Sequence, residues 1–150
     1  MGLKEKLQSD LTESIRAREE TKAGTIRMVL AAITTEEVSG KQARTLSDAE
    51  IITVLSREAK KRREAIDAYA AANRPDLVAK EKSESEVIAA YLPEPLSDNE
   101  IEKLIKEAIN ETGASGPAAM GQVMKLLQPK IAGRADGGKV SGLVKKALGN

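Results

Sequence analysis

Neither cysteine nor histidine occurs among the 150 residues. Disulfides, thiolate chemistry and Cys/His zinc sites are therefore excluded, as are histidine acid–base relays and the serine triads that depend on them. Phenylalanine and tryptophan are absent too, and Tyr69 and Tyr91 are the only aromatic side chains. The core must be aliphatic, and the chain offers no run of stacking platforms of the kind that single-strand-binding barrels use. No apolar run approaches the roughly 20 residues of a membrane helix. The opening MGLKEKLQSDLTESI is amphipathic and mixed in charge, unlike a secretory signal. The expectation is a soluble, cytoplasmic protein with no membrane partner, and the lack of cysteine fits a reducing compartment.

What is present is globular in balance: 41% apolar and 31% charged residues. The net charge of +1 hides an uneven distribution. Residues 113–150 hold six basic side chains and one acidic one, whereas residues 1–112 hold eighteen basic and twenty-two acidic. A basic C-terminal end in an otherwise acidic chain points toward a polyanion, or toward a solvated basic face.

Apolar residues recur at helical spacing throughout, and no convincing period-two alternation appears. Leu3, Leu7, Leu11 and Ile15 predict a first helix to about Lys22, broken by Gly24, with Thr25 capping a second that Gly40 ends. Ser47 and Glu50 form a capping box for a third helix to about Asn73, and Pro75 suits the first turn of a fourth reaching Tyr91. In YLPEPLSDNE, Pro93 and Pro95 stop helix propagation, and Ser97 with Glu100 opens the next helix through a second capping box. Gly113 ends that helix, Ser115 or Gly116 with Pro117 starts another, QPKIAGRADGG reads as a turn region, and Val140, Leu143, Val144 and Ala147 stripe the last. The prediction is all-α: a four-helix bundle-like domain over 1–92, a hinge at 93–96 and a three-helix tail over 97–150.

Two readings stand for the tail. In one, Gly133, Asp136, Gly137 and Gly138 only build a turn and cap the last helix. In the other, the flanking Lys125, Lys130, Arg134, Lys139, Lys145 and Lys146 also contact RNA phosphates, which positions RNA without reading its bases. The glycine loop lacks the Lys-Ser/Thr that a P-loop places after its last glycine, and Asp136 puts a carboxylate where an anion would sit. In SREAKKRREAI, Arg57, Lys60, Lys61 and Arg63 form either a solvated face or a second RNA contact, with Glu58 and Glu64 at pairing distance along the helix. Arg27, flanked by apolar residues, is expected to pair with a carboxylate between helices. The carboxylate pairs, such as Glu36 with Glu37, lack ligand-loop spacing, so no metal is expected. Ser39, Ser56 and Ser141 lack a histidine or Ser-x-x-Lys partner, leaving no catalytic constellation.

YLPEPLSDNEIEKLI, and GPAAMGQVMKLLQPKIAGRADGGKVSGLVKKAL after it, resemble the YqeY family. TIRMVLAAI and SREAKKRREAIDAYAAANRPDLVAKEKSE carry the resemblance into the N-terminal part. The family's tail is similar to that of the B subunit of the glutamine-dependent aspartyl/glutamyl-tRNA amidotransferase, where it is associated with holding tRNA. The resemblance implies a helical bundle joined to a tRNA-associated tail, and a link to carbon–nitrogen ligase systems with glutamine as amido-N-donor. It implies tRNA or another RNA as partner. The alternative is a non-catalytic adaptor docking on an aminoacyl-tRNA synthetase or amidotransferase subunit. No counterpart of the amidotransferase's catalytic parts is recognisable, and no cofactor is implied.

Overall fold

The computed structural model describes residues 2–113 and 115–149. It is all-helical, with no strand among the described residues. The helices fall into two compact units, Met1–Leu92 and Pro93–Asn150.

The first unit comprises α1 (Leu3–Arg16), α2 (Glu20–Glu37), α3 (Asp48–Ala71) and α4 (Pro75–Ala89). Leu7 of α1, Ile26, Val29 and Ile33 of α2, Ile51 and Leu55 of α3, and Ile88 of α4 form its aliphatic core. Helix α3 begins where its sequence says: Ser47 Oγ accepts from the Glu50 amide, and Glu50 reaches back to the Ser47 amide at 2.8 Å. Pro75 occupies the first turn of α4. That helix ends at Ala89, two residues before Tyr91.

The first helical break is not at Gly24. Helix α1 stops at Arg16, and Arg18 takes a left-handed conformation at φ 60°. The Arg18 amide donates to Ile15 and the Glu19 amide to Ser14, which together make a Schellman motif. Gly24 lies inside α2, and Thr25 is no cap: buried, its hydroxyl donates to the Thr21 carbonyl at 2.8 Å.

The second unit comprises α5 (Asp98–Thr112), a 3₁₀ turn at Pro117–Ala119, α6 (Met120–Ile131) and α7 (Gly137–Ala147). Ile101 and Ile105, Val123 and Leu127, and Val140 and Val144 meet in its core. The Ser97–Glu100 capping box forms, Gly113 ends α5 at φ 62°, and Gly116 precedes Pro117 at φ 80°. Helix α6 runs through Pro129 to the buried Ile131, so QPKI is helix rather than turn. Proline there forfeits one amide bond near the helix end, while continuing the helix buries Ile131. Residues 93–96 pack with this unit: the Leu96 amide donates to the Arg134 carbonyl, and Arg134 Nε donates to the Glu94 carbonyl, both at 2.9 Å.

Candidate nucleic-acid interface

Helix α6 buries Val123, Leu127 and Ile131 along one stripe. At about 100° per residue, Lys125 falls opposite that stripe, and it is exposed. Lys130 occupies the last turn, where a cation faces the negative end of the helix dipole, and is exposed as well. Gly133 then takes φ 72°, a conformation that costs glycine no steric strain, and turns the chain toward α7.

Asp136 settles the geometry of that second helix start. Its Oδ1 accepts from the Gly138 amide at 3.0 Å, so the N-terminus of α7 already holds a carboxylate. The glycine-rich loop is therefore a capped helix start. Val140 and Val144 bury the inner face of α7, and Lys139, Lys145 and Lys146 are exposed. Lys139 and Lys146, seven positions apart, share one stripe of the helix.

These six tail cations differ in what they already bind. Lys139 Nζ donates to Asp98 Oδ1 of α5 at 2.7 Å. Arg134 is committed through Nε to the Glu94 carbonyl. Among the described residues no carboxylate lies within ion-pair reach of Lys125, Lys130 or Lys146.

The basic run of α3 divides in the same way. Arg57 lies 3.6 Å from Glu36 and Lys61 3.0 Å from Glu58. Lys60 and Arg63 are exposed and carry no ion pair among the described residues. Arg62, between them, turns inward: it is 6% exposed, 2.8 Å from Glu58 and 3.5 Å from Glu84 of α4, with Nη2 3.6 Å from Met28 Sδ. Arg62 fills the role expected of Arg27. Arg27 itself is exposed and has no carboxylate partner among the described residues, because its position falls on the outer side of α2, away from buried Ile26 and Val29.

One polar cluster has no trace in local sequence pattern. Tyr91 donates its hydroxyl to Asp10 Oδ2 at 2.5 Å, and Lys6 pairs with the same oxygen at 3.2 Å while lying 5.5 Å above the Tyr91 ring. The Tyr91 bond, with help from Lys6, holds Asp10 below the usual carboxylate range. Burial, and then the Asp10 carboxylate, push the Tyr91 phenol well above its ordinary value. With Lys22, Val87 and Ala90 these groups line a recess of about 220 Å³. The two partners stand 81 positions apart, which no motif reveals. Among the described residues no group of three or more acidic side chains could hold a metal ion, and no helix is long and apolar enough to cross a membrane.

The sequence matches the family described as Yqey-like protein over residues 4–148. This chain belongs to the YqeY-like family. Among curated proteins it is similar to the mitochondrial "Altered inheritance of mitochondria protein 41" of the fungus Pyrenophora tritici-repentis, at 29% identity over 96% of this chain and 80% of that protein. An uncharacterized protein of Schizosaccharomyces pombe is 32% identical over 61% of this chain and 73% of its own length. The Eremothecium gossypii protein of the same name as the first is 35% identical over 57% of this chain, which spans less than half (46%) of it.

Proposed function

We propose that this YqeY-like protein is an RNA-associated helical protein whose second unit holds the phosphate backbone of tRNA. The observation that carries the reading is the tail's set of exposed cations on α6 and α7, of which Lys125, Lys130 and Lys146 have no internal carboxylate among the described residues. An unneutralised lysine attracts phosphate and releases condensed counter-ions when it binds. The resemblance of the tail to that of the tRNA amidotransferase B subunit supports tRNA as the substrate class and links the protein to glutamine-dependent amide transfer. The aliphatic composition supports backbone contact rather than base stacking. Lys60 and Arg63 of α3 assist, while Arg57 and Lys61 contribute less because glutamates already neutralise them.

The compartment is one that holds tRNA: the cytoplasm or, as for the fungal relatives whose names read mitochondrial, a mitochondrion. The test is a fluorescence titration of total tRNA against the full chain and against Lys125→Glu/Lys130→Glu/Lys146→Glu. The triple variant is expected to bind at least about tenfold more weakly, since three phosphate contacts become repulsions. Equal affinity contradicts the reading. A protein partner that stays bound after nuclease treatment, with no tRNA affinity, indicates the adaptor role on a synthetase or amidotransferase subunit instead.

A further inference from the structure

The first turn of α5 and the segment before it place a carboxylate and a carbonyl on cations at the start of α7. Asp98 is the first residue of α5, immediately after the Ser97 cap. Its Oδ1 accepts from Lys139 Nζ at 2.7 Å, across 41 positions of sequence. Nearby, the Glu94 carbonyl takes Arg134 Nε, and Glu100 bonds the Ser97 amide and feels the Arg134 charge. Lys139 and Arg134 are thus already engaged inside the unit, and they bracket the capped start of α7. The Asp98–Lys139 pair is not sealed off. Its side chains are 76% and 54% exposed, so a phosphate oxygen can reach Lys139 and must then contend with Asp98.

We propose that Asp98 is a built-in competitor for Lys139: it occupies the lysine in the free protein and yields it when RNA phosphate binds. This rests on the phosphate-contact reading above and adds the regulation of that surface. A lysine that must leave a carboxylate gains less from phosphate than a lysine that leaves only water and mobile anions. Asp98 therefore holds affinity down and keeps the basic face from retaining every polyanion it meets. An exposed pair of this kind is weak, so the restraint is modest: about two- to fivefold in affinity. Lys139 meets the phosphate in either case, so removing Asp98 raises affinity while the number of neutralised phosphates stays the same.

The experiment is a tRNA titration of the full chain at several salt concentrations, with four variants. Asp98→Asn removes the competitor while leaving the Ser97–Glu100 capping box in place. Glu102→Gln makes the same charge change on the same helix, at an exposed residue with no ion pair among the described residues. Lys139→Gln and Asp98→Asn/Lys139→Gln complete a double-mutant cycle. The expected result is tighter binding for Asp98→Asn than for Glu102→Gln, with the gain abolished in the Lys139→Gln background. An equal effect of the two α5 variants, or a gain that survives without Lys139, overturns the proposal: the charge would then act only through the overall field. Wild-type protein that fails to bind tRNA, or binding indifferent to the Lys125/Lys130/Lys146 triple substitution, overturns the phosphate-contact reading and this inference with it. Binding that needs the three lysines but ignores Asp98 overturns this inference alone.

Discussion

Arg62→Met removes a guanidinium that the first unit holds between two carboxylates in its interior. Arg62 is 6% exposed and Glu58 9%. Its Nη1 donates to Glu58 Oε2 at 2.8 Å and to the Glu58 carbonyl at 3.2 Å, and its Nε lies 3.5 Å from Glu84 Oε2. Methionine fills much of the same volume, so the loss is electrostatic rather than a cavity. Breaking a buried pair by removing one partner typically costs roughly 3–5 kcal/mol, because the surviving charge stays desolvated. Lys61, 3.0 Å from Glu58, still serves one carboxylate, which places the expected loss near the lower bound, about 3 kcal/mol. For a unit of this size each kcal/mol moves the midpoint by about 4–8 °C, so melting followed by circular dichroism is expected to fall by at least about 12 °C. The triple variant Arg62→Met/Glu58→Gln/Glu84→Gln leaves no buried charge and is expected to recover much of that loss. A single-variant loss under about 1 kcal/mol, the value of an exposed pair, refutes the reasoning. So does a triple variant less stable than the single.

Gly24→Ala places a methyl group where nothing lies within 4 Å and the backbone is already helical. It is expected to stabilise the protein by about 0.5–1 kcal/mol in urea denaturation; a loss would mean that α2 needs glycine for a reason the packing does not contain. Tyr91→Phe deletes the hydroxyl bond to Asp10 and is expected to cost about 1.5–3 kcal/mol at neutral pH, since the acceptor is charged. The pH dependence has two arms. Asp10 has its folded value lowered beneath 3.8, so its contribution is present above 3.8 and fades as acid protonates the folded carboxylate. Tyr91 has its folded value raised above 10.0, so its contribution is present below pH 10.0 and fades as alkali ionises the unfolded phenol. The gap between wild type and Tyr91→Phe is therefore expected to be flat from pH 5 to pH 8 and to narrow beyond both limits, and a gap that widens in acid contradicts the assignment.

Those elements that local chemistry dictates were legible in the residues. Both Ser-x-x-Glu capping boxes, the first-turn Pro75 and the left-handed Gly113 act within a few positions of themselves, so short motifs reveal them. The α1–α2 turn is different. Its left-handed residue is Arg18, where the rule favours glycine, and the glycine that looked like a breaker is absorbed by α2. Tertiary packing of Leu7 against Ile26 and Val29 outweighs the propensity cost of Gly24. Pro129 was misleading for the same reason, since burying Ile131 keeps α6 intact past it. At the candidate site, Asp136 was visible as a cap because its partner is two residues away. The choice between Arg27 and Arg62 was not, because the neighbours of α3 at Glu84 and Met28 are set by how three helices pack. The engagement of Lys139 by Asp98 and of Arg134 by Glu94 was hidden likewise, at separations of 41 and 40 residues.

The salt dependence of tRNA binding tests the central claim most directly. Lys125, Lys130 and Lys146, which have no internal carboxylate among the described residues, predict that log affinity falls linearly with log salt, with a slope of at least about −2, given about 0.7–0.9 per neutralised phosphate. The Lys125→Glu/Lys130→Glu/Lys146→Glu variant is expected to flatten that slope. An affinity independent of salt, or a slope that the three substitutions leave unchanged, contradicts the account.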